Sequence, residues 1–152
     1  MQIWNLQFAL PYKIVKSQLF NNFAKIYFKE LDKNFLPTKK WLKDYFKDLI
    51  NKSNINIKWI LFEENKIGFY ILEKLKNKYT DKKKILVKDL FIIKKFRRKK
   101  IGKNIVFQII NFTKKNKIKK LVIEILASNK KVASFWKNFK FKKSSDKYIL
   151  KI

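Results

Sequence analysis

The stretch from Phe96 to Val106, FRRKKIGKNIV, collects residues that are scarce in the rest of the chain. Arg97 and Arg98 are the only arginines, and Gly102 is one of 2 glycines. They follow an apolar, β-rich run over 83–93. They precede a run in which Ile101, Ile105, Ile109 and Phe112 share one helical face. A strand entering a helix through such a turn aims unpaired N–H groups and the positive end of the helix dipole at one point. That arrangement does anion chemistry and suits a pyrophosphate. Gly102, without a Cβ, permits close backbone approach. The other reading is a solvated basic turn with a glycine at the helix start. Neither G-x-x-x-x-G-K-[ST] nor G-x-G-x-x-G is present.

The composition removes other chemistries. There is no cysteine, so neither a disulfide framework nor a thiol nucleophile is available. There is no histidine either, which takes away the usual neutral-pH base. Only carboxylates remain as metal ligands, so no metal is expected. No apolar run reaches the length of a membrane span, and MQIWNLQFALPYK lacks the basic start and small-residue cleavage site of a signal peptide. The expectation is a cytoplasmic protein without a membrane partner, as a monomer or homodimer.

The net charge of +28 invites a nucleic-acid reading. Every basic residue but Arg97 and Arg98 is lysine, however, and Asn, Ile and Phe are abundant too. All four have A/T-rich codons, so a biased genome accounts for most of the charge. A surface selected to grip phosphates or guanine edges would use more of arginine's bidentate fork. The lysines still attract polyanions in a strongly salt-dependent way.

The elements that must hold the turn follow from periodicity. The 152 residues, 47% hydrophobic, suffice for one core, and no repeat or Pro/Gly/Ser-rich boundary divides them, which gives a single domain over 1–152. Residues 2–9 alternate as a first strand. Phe20, Phe23, Tyr27 and Leu31 are spaced as a helix over about 13–35. Pro37 breaks that run, and Thr38 caps a second helix carrying Trp41, Leu42, Tyr45, Phe46 and Leu49. NIKWILFEENKIGFYILEKL reads as an antiparallel hairpin turning at EENK, and KKILVKDLFII as a third strand. After the basic turn and its helix come the strand KKLVIEILA, the short helix SNKKVASFWKNF and a closing strand DKYILKI. The order β–α–α–β–β–β–α–β–α–β predicts an α/β (α+β mixed) fold. Its sheet is mixed and mostly antiparallel, with helices on both faces. The strands flanking the basic turn make one parallel pair.

These elements and residues together resemble the GNAT superfamily of acyl-CoA-dependent N-acyltransferases. DLFIIKKFRRKKIG is similar to the family's fourth strand running into R/Q-x-x-G-x-G/A, with Arg97 at the first position, Lys100 at the first glycine and Gly102 at the second. LVIEILASN is similar to the fifth strand of the ribosomal-protein alanine acetyltransferase branch, with Glu124 at its acid and Asn129 at the asparagine that follows. VASFWKNFKF resembles A-x-x-F-Y-x-x-x-G-F, and Gly68 in KIGFY matches a frequent third-strand pattern. The resemblance covers about 57–143. It departs from the family at Lys100, where a lysine can pair with phosphate as a point charge. It departs again at Trp136, where the family often has a general-acid tyrosine, and at Lys140, in place of a turn glycine.

The resemblance implies a ternary complex in which a substrate amine attacks the thioester of an acyl-CoA, with acetyl-CoA as co-substrate. Backbone groups near Ile92 and Ile93 would hold the pantetheine and polarise the carbonyl. Arg97, Arg98, Lys99, Lys100, Ile101, Gly102 and Lys103 would cradle the pyrophosphate, with Asn129 close by. Asp89 and Glu124 are the candidate bases. Each lies inside an apolar strand where burial would raise its pKa, Asp89 on a face with Val87 and Phe91, Glu124 on a face with Val122 and Leu126. Each also reads as a carboxylate paired with one of the lysines. Trp136 reads as core or as a pocket wall, and Tyr148 is a candidate replacement acid. The alternatives are a non-catalytic module binding nucleic acid or ribosomes, and a GNAT fold that binds acyl-CoA without turnover. The amine acceptor carries no motif.

Overall fold

Ser17 divides what the apolar spacing suggests is one long helix. Its backbone is extended (φ −71°, ψ 140°). Its Oγ donates to the Ile14 carbonyl at 2.8 Å and accepts from the Phe20 N–H at 3.2 Å. One hydroxyl thus ends α1 (Pro11–Lys16) and caps α2 (Gln18–Leu31). The computed structural model describes residues 11–125, 129–143 and 150. The expected strand over 2–9, and all of that over 146–152 except Leu150, lie outside the described residues, Tyr148 with them. No helix among the described residues is long and apolar enough to cross a membrane.

Thr38 caps α3 (Lys39–Ile50) as its position predicts, accepting from the Trp41 N–H at 3.1 Å. The hairpin follows: β1 (Ile55–Phe62) and β2 (Asn65–Lys76) pair antiparallel down to Phe62↔Asn65. Glu63 and Glu64 alone make the turn, both left-handed (φ 47° and 66°), the backbone a two-residue hairpin loop requires. β3 (Lys83–Ile92) pairs antiparallel with β2. A single 3-10 turn (Lys94–Phe96) then leads to α4 (Ile101–Lys115), β4 (Leu121–Ile123) and α5 (Lys130–Lys137). The sheet runs β1-β2-β3-β4, and its one parallel pair, β3 with β4, is the pair expected.

Each face of the sheet buries its own core. Phe20, Phe23, Leu42 and Phe46 of α2 and α3 pack on Trp59, Phe69, Ile71 and Phe91. Phe20 is wholly enclosed, with ring centroids of Phe46 and Phe69 each 4.7 Å away. On the opposite face Ile101, Ile105 and Ile109 of α4 and Trp136 of α5 cover Ile60, Tyr70, Ile85 and Val87.

The register contains a bulge that the alternating sequence pattern does not disclose. Ile71 faces Asp89 and Leu72 faces Val87, so Lys88 is the extra residue on β3. Alternation would put Asp89 on the side of Val87. With Lys88 inserted, Val87 joins the α4 side while Asp89 turns to the α2 side with Phe91. The parallel pairing ends at the same place. β4 pairs only over Ile85↔Leu121, Leu86↔Val122 and Val87↔Ile123. β4 is thus shorter than expected, its pairing ending at Val87, where the bulge interrupts the regular ladder of β3.

Candidate functional site

The basic turn is built from backbone. Arg97 is extended (φ −71°, ψ 162°), and Arg98 and Lys100 are left-handed, each at φ 61°. Lys99 between them has a negative φ, so the signs alternate over 98–100. Alternation of this kind converges successive N–H groups into an anion-binding concavity. The first helical bond of α4 runs from the Asn104 N–H to the Lys100 carbonyl at 3.1 Å. The N–H groups of Ile101, Gly102 and Lys103 therefore precede it and have no intrahelical acceptor. Lys100 makes no side-chain cap, and the first turn of α4 holds no acid. Residues 98–100 run directly into the helix start. No ion pair among the described residues engages Arg98, Lys99, Lys100 or Lys103. Lys99 instead lies over the Phe96 ring at 5.3 Å, and Lys103 over Phe107 at 5.8 Å. These residues fit a pyrophosphate.

Three of the expected residues have specific partners in the fold. Gly102 faces the packing between α4 and α5. A Cβ on it would point at Phe135 Cζ, 3.4 Å away, and at Ile92 Cδ1, 3.7 Å away, both ordinary contact distances, so α5 packs over this position with room for a methyl. Arg97, its side chain 38% exposed, is engaged by the fold. Its Nε donates to the Ile92 carbonyl at 2.7 Å, its Nη2 pairs with Glu30 Oε2 at 2.6 Å, and it lies 5.6 Å from the Phe91 ring centroid. The Ile93 N–H is committed to the Ile67 carbonyl of β2 at 2.9 Å. Strand N–H groups alternate in direction, so that of Ile92 points away from β2, to the side where β4 has stopped pairing.

On the α2 side, Asp89 is 8% exposed and accepts a 2.6 Å hydrogen bond from the Tyr27 hydroxyl. Burial raises its carboxyl pKa above the ordinary range; the Tyr27 bond and the nearby Lys88 ammonium act in the opposite direction. Tyr27 sits among Phe28, Phe69 and Phe91 with centroids 5.2 to 5.9 Å away, and burial, then the Asp89 charge, raises its phenol strongly. Burial, then Asp89 and Glu73, pushes the neighbouring Tyr45 up to about 12. Lys88 Nζ, carried by the bulge, pairs with Glu73 Oε2 at 3.3 Å, and Asn54 Nδ2 donates to Glu73 Oε1 at 3.4 Å. Sequence reasoning found Asp89 and missed Tyr27, Glu73 and Lys88. Tyr27 falls at core spacing on α2. The one available signal was that a buried phenol and a strand-interior aspartate each need a polar partner.

The other expected site residues are placed elsewhere. Glu124 is exposed and lies just beyond the end of β4, so it is not buried between strand neighbours, and Leu126 lies outside the described residues. Asn129 caps α5, its Oδ1 accepting from the Val132 N–H at 3.2 Å. Trp136 is 6% exposed and packs on Phe135, Phe139 and Phe141, a core position. Asp89 lies three residues down β3 from Ile92, roughly 10 Å at strand rise. The donor-side backbone and the buried carboxylate thus occupy one strand, with Glu124 just past the end of another. A shallow cleft lined by Asn54, Leu72, Lys74, Ile85 and Phe112 opens at the opposite end of the sheet and includes none of these groups.

Comparison with known proteins follows the same lines. The model of the acetyltransferase (GNAT) family matches residues 18–141. No curated protein matches the chain. Among solved structures, the chain is similar to an aminoglycoside acetyltransferase from an uncultured soil metagenomic sample, with 14% identity, TM-score 0.72, and 97% of this chain and 95% of that chain covered. It is also similar to a ribosomal-protein-alanine N-acetyltransferase from Brucella melitensis, with 13% identity, TM-score 0.73, and 99% and 100% covered. An integron cassette protein from Vibrio cholerae shares 13% identity at TM-score 0.74, with 97% and 91% covered. At these identities the likeness establishes the fold.

Proposed function

The chain belongs to the GNAT acetyltransferase family, and on that premise we propose that it transfers an acetyl group from acetyl-CoA to a primary amine by direct attack within a ternary complex. The observation that carries the reading is the concavity at Arg98–Lys100 running into the uncapped start of α4. It supports a pyrophosphate site at the end of the strand that also bears Asp89.

Bound acetyl-CoA supplies an electrophilic thioester carbonyl. The backbone of Arg98–Lys103 binds the pyrophosphate, with lysine side chains screening its charge. The N–H of Ile92, on the unpaired side of β3, orients the thioester arm and donates to the carbonyl oxygen. Asp89 takes the proton that the amine loses as the C–N bond forms, directly or through water, and C–S cleavage releases coenzyme A as a thiolate that is protonated from water. Tyr27 holds the Asp89 carboxylate in place. Glu124 is the second candidate base, working from solvent at the end of β4. The absence of cysteine and histidine from the sequence favours direct attack over a covalent intermediate on a thiol or imidazole.

The acceptor is an amine of an unidentified small molecule, protein N-terminus or lysine. The solved neighbours include enzymes named for aminoglycosides and for a ribosomal-protein alanine, and both acceptors present primary amines. Buried Trp136, at the position where the family often has tyrosine, favours a second reading, in which acyl-CoA is bound without turnover.

Two experiments test this. Acetyl-CoA at millimolar concentration raises the melting temperature by ligand linkage and gives a binding heat at low salt; the absence of both overturns the reading. A screen of thiol release against polyamines, peptides, aminoglycosides and aminoacyl-tRNA finds the acceptor. With it in hand, Asp89→Asn lowers kcat by at least about a hundredfold if Asp89 is the base, whereas Glu124→Gln does so if Glu124 is.

A further inference from the structure

Arginine is so scarce here that its use asks for a reason. Lysine satisfies nearly every need for a cation in this chain, yet position 97 carries a fork. Arg97 uses the fork fully. Nε donates to the Ile92 carbonyl at 2.7 Å and Nη2 to Glu30 at 2.6 Å, while the guanidinium lies 5.6 Å from the Phe91 ring centroid. A lysine ammonium has donors enough for both acceptors but lacks the planar fork that holds two donors in fixed relation to a backbone carbonyl and a carboxylate. The last turn of α2 supplies Glu30, one helical turn after Tyr27. Residues three apart share a helix face, so one face of α2 holds Asp89 through Tyr27 and the basic turn through Glu30.

We propose that Glu30 is a positioning residue for the anion-binding turn: acting through Arg97, it fixes where the concavity at 98–100 and the start of α4 stand relative to β3. This rests on the acyl-CoA reading. It reverses the simplest role for Arg97, which is a direct ligand of phosphate. The two roles predict opposite signs. If Arg97 is the ligand, Glu30 competes with the phosphate, and removing its charge tightens binding. If Glu30 positions the turn, removing its charge loosens binding.

Calorimetry with acetyl-CoA at about 0.15 M salt, where charges beyond roughly 8 Å are largely screened, separates them. Glu30→Gln is expected to weaken binding about threefold to fivefold, the scale of a half-exposed ion pair. Glu30→Asp, which keeps the carboxylate, is expected to return affinity to within about twofold. The melting temperature of each variant is recorded without ligand. A lowered melting temperature with an unchanged Kd makes Glu30 merely structural and overturns the proposal. Unchanged binding by Glu30→Gln overturns it whatever the melting temperature, tighter binding overturns it in favour of Arg97 as ligand, and the acyl-CoA reading survives in both cases. If the unmutated chain binds no acetyl-CoA, that reading falls, and the proposal with it.

Discussion

Tyr27 donates a 2.6 Å hydrogen bond to Asp89 across 62 positions of sequence, tying α2 to the strand that leads into the basic turn. The bond favours the charged carboxylate against the burial that penalises it. Tyr27→Phe removes that support, so the acid limb of the rate profile moves to higher pH. Stability at neutral pH falls by about 1–3 kcal/mol, since a buried acceptor loses its donor. A pH–rate profile with an unmoved acid limb would show that Asp89 is not the titrating base.

The same carboxyl sets a slope in stability. Its pKa in the fold is raised from 3.8, with burial the largest cause. Between the unfolded value and the raised one, the folded state therefore binds more protons than the unfolded chain, and stability falls as pH rises through that window. Asp89→Asn cannot titrate and removes the slope. Its melting temperature relative to the unmutated chain is expected to be more favourable near pH 7 than near pH 4. Thermal melts across that range check it, and parallel curves would refute the assignment.

The two glycines should respond oppositely to alanine. At Gly68 a Cβ would stand 2.0 Å from the Phe91 carbonyl oxygen, in the paired strand's backbone, which cannot move aside cheaply. Gly68→Ala is expected to cost about 3 kcal/mol or more, or to prevent folding. At Gly102 the nearest atom is the Phe135 ring edge at 3.4 Å. Alanine also gains about 1 kcal/mol of helix propensity there. Gly102→Ala should stay within about 1 kcal/mol of the parent in urea denaturation, while Gly102→Trp displaces Phe135 and unseats α5.

Lys100 occupies a left-handed conformation at the mouth of the cradle. That conformation costs a side-chain-bearing residue roughly 1–2 kcal/mol. Lys100→Gly is expected to stabilise the fold by about 1 kcal/mol, less glycine's own entropy cost. If backbone N–H groups form the anion site, acetyl-CoA affinity stays within about threefold, since one exposed charge contributes little. A much larger loss in calorimetry would make the lysine side chain itself the ligand.

Much of this architecture is legible in sequence because it depends on local pattern. Thr38 after Pro37, the EENK hairpin and the apolar face of Ile101, Ile105 and Ile109 each carry their own signal. The scarcity of arginine and glycine located the turn, and the strand–helix–strand order around it the parallel pair. Non-local geometry escaped. Inserting Lys88 into β3 inverts the face of Asp89 relative to Val87, and alternation counted along one strand cannot register that. Ser17 reads as a helix interior until its hydroxyl is seen bonding both ways. Arg97 reads as free charge because Glu30 is 67 positions away. Tyr27 hides among core aromatics since only its hydroxyl has business elsewhere.

The sheet order has a consequence for how the chain folds. β1, β2 and β3 are consecutive in sequence and pair as neighbours, so each closes a short loop. The parallel pair cannot form until α4 has been threaded across the sheet, and it then rests on three residue pairs. Loop-closure entropy places such a contact late. We expect φ-values near zero for substitutions in β4 and high values around the β2–β3 hairpin. Fast native-state hydrogen exchange at Leu121–Ile123 should accompany slow exchange across β2. On that pattern the cradle at Arg98–Lys103 is the last part of the molecule to assemble and the first to open.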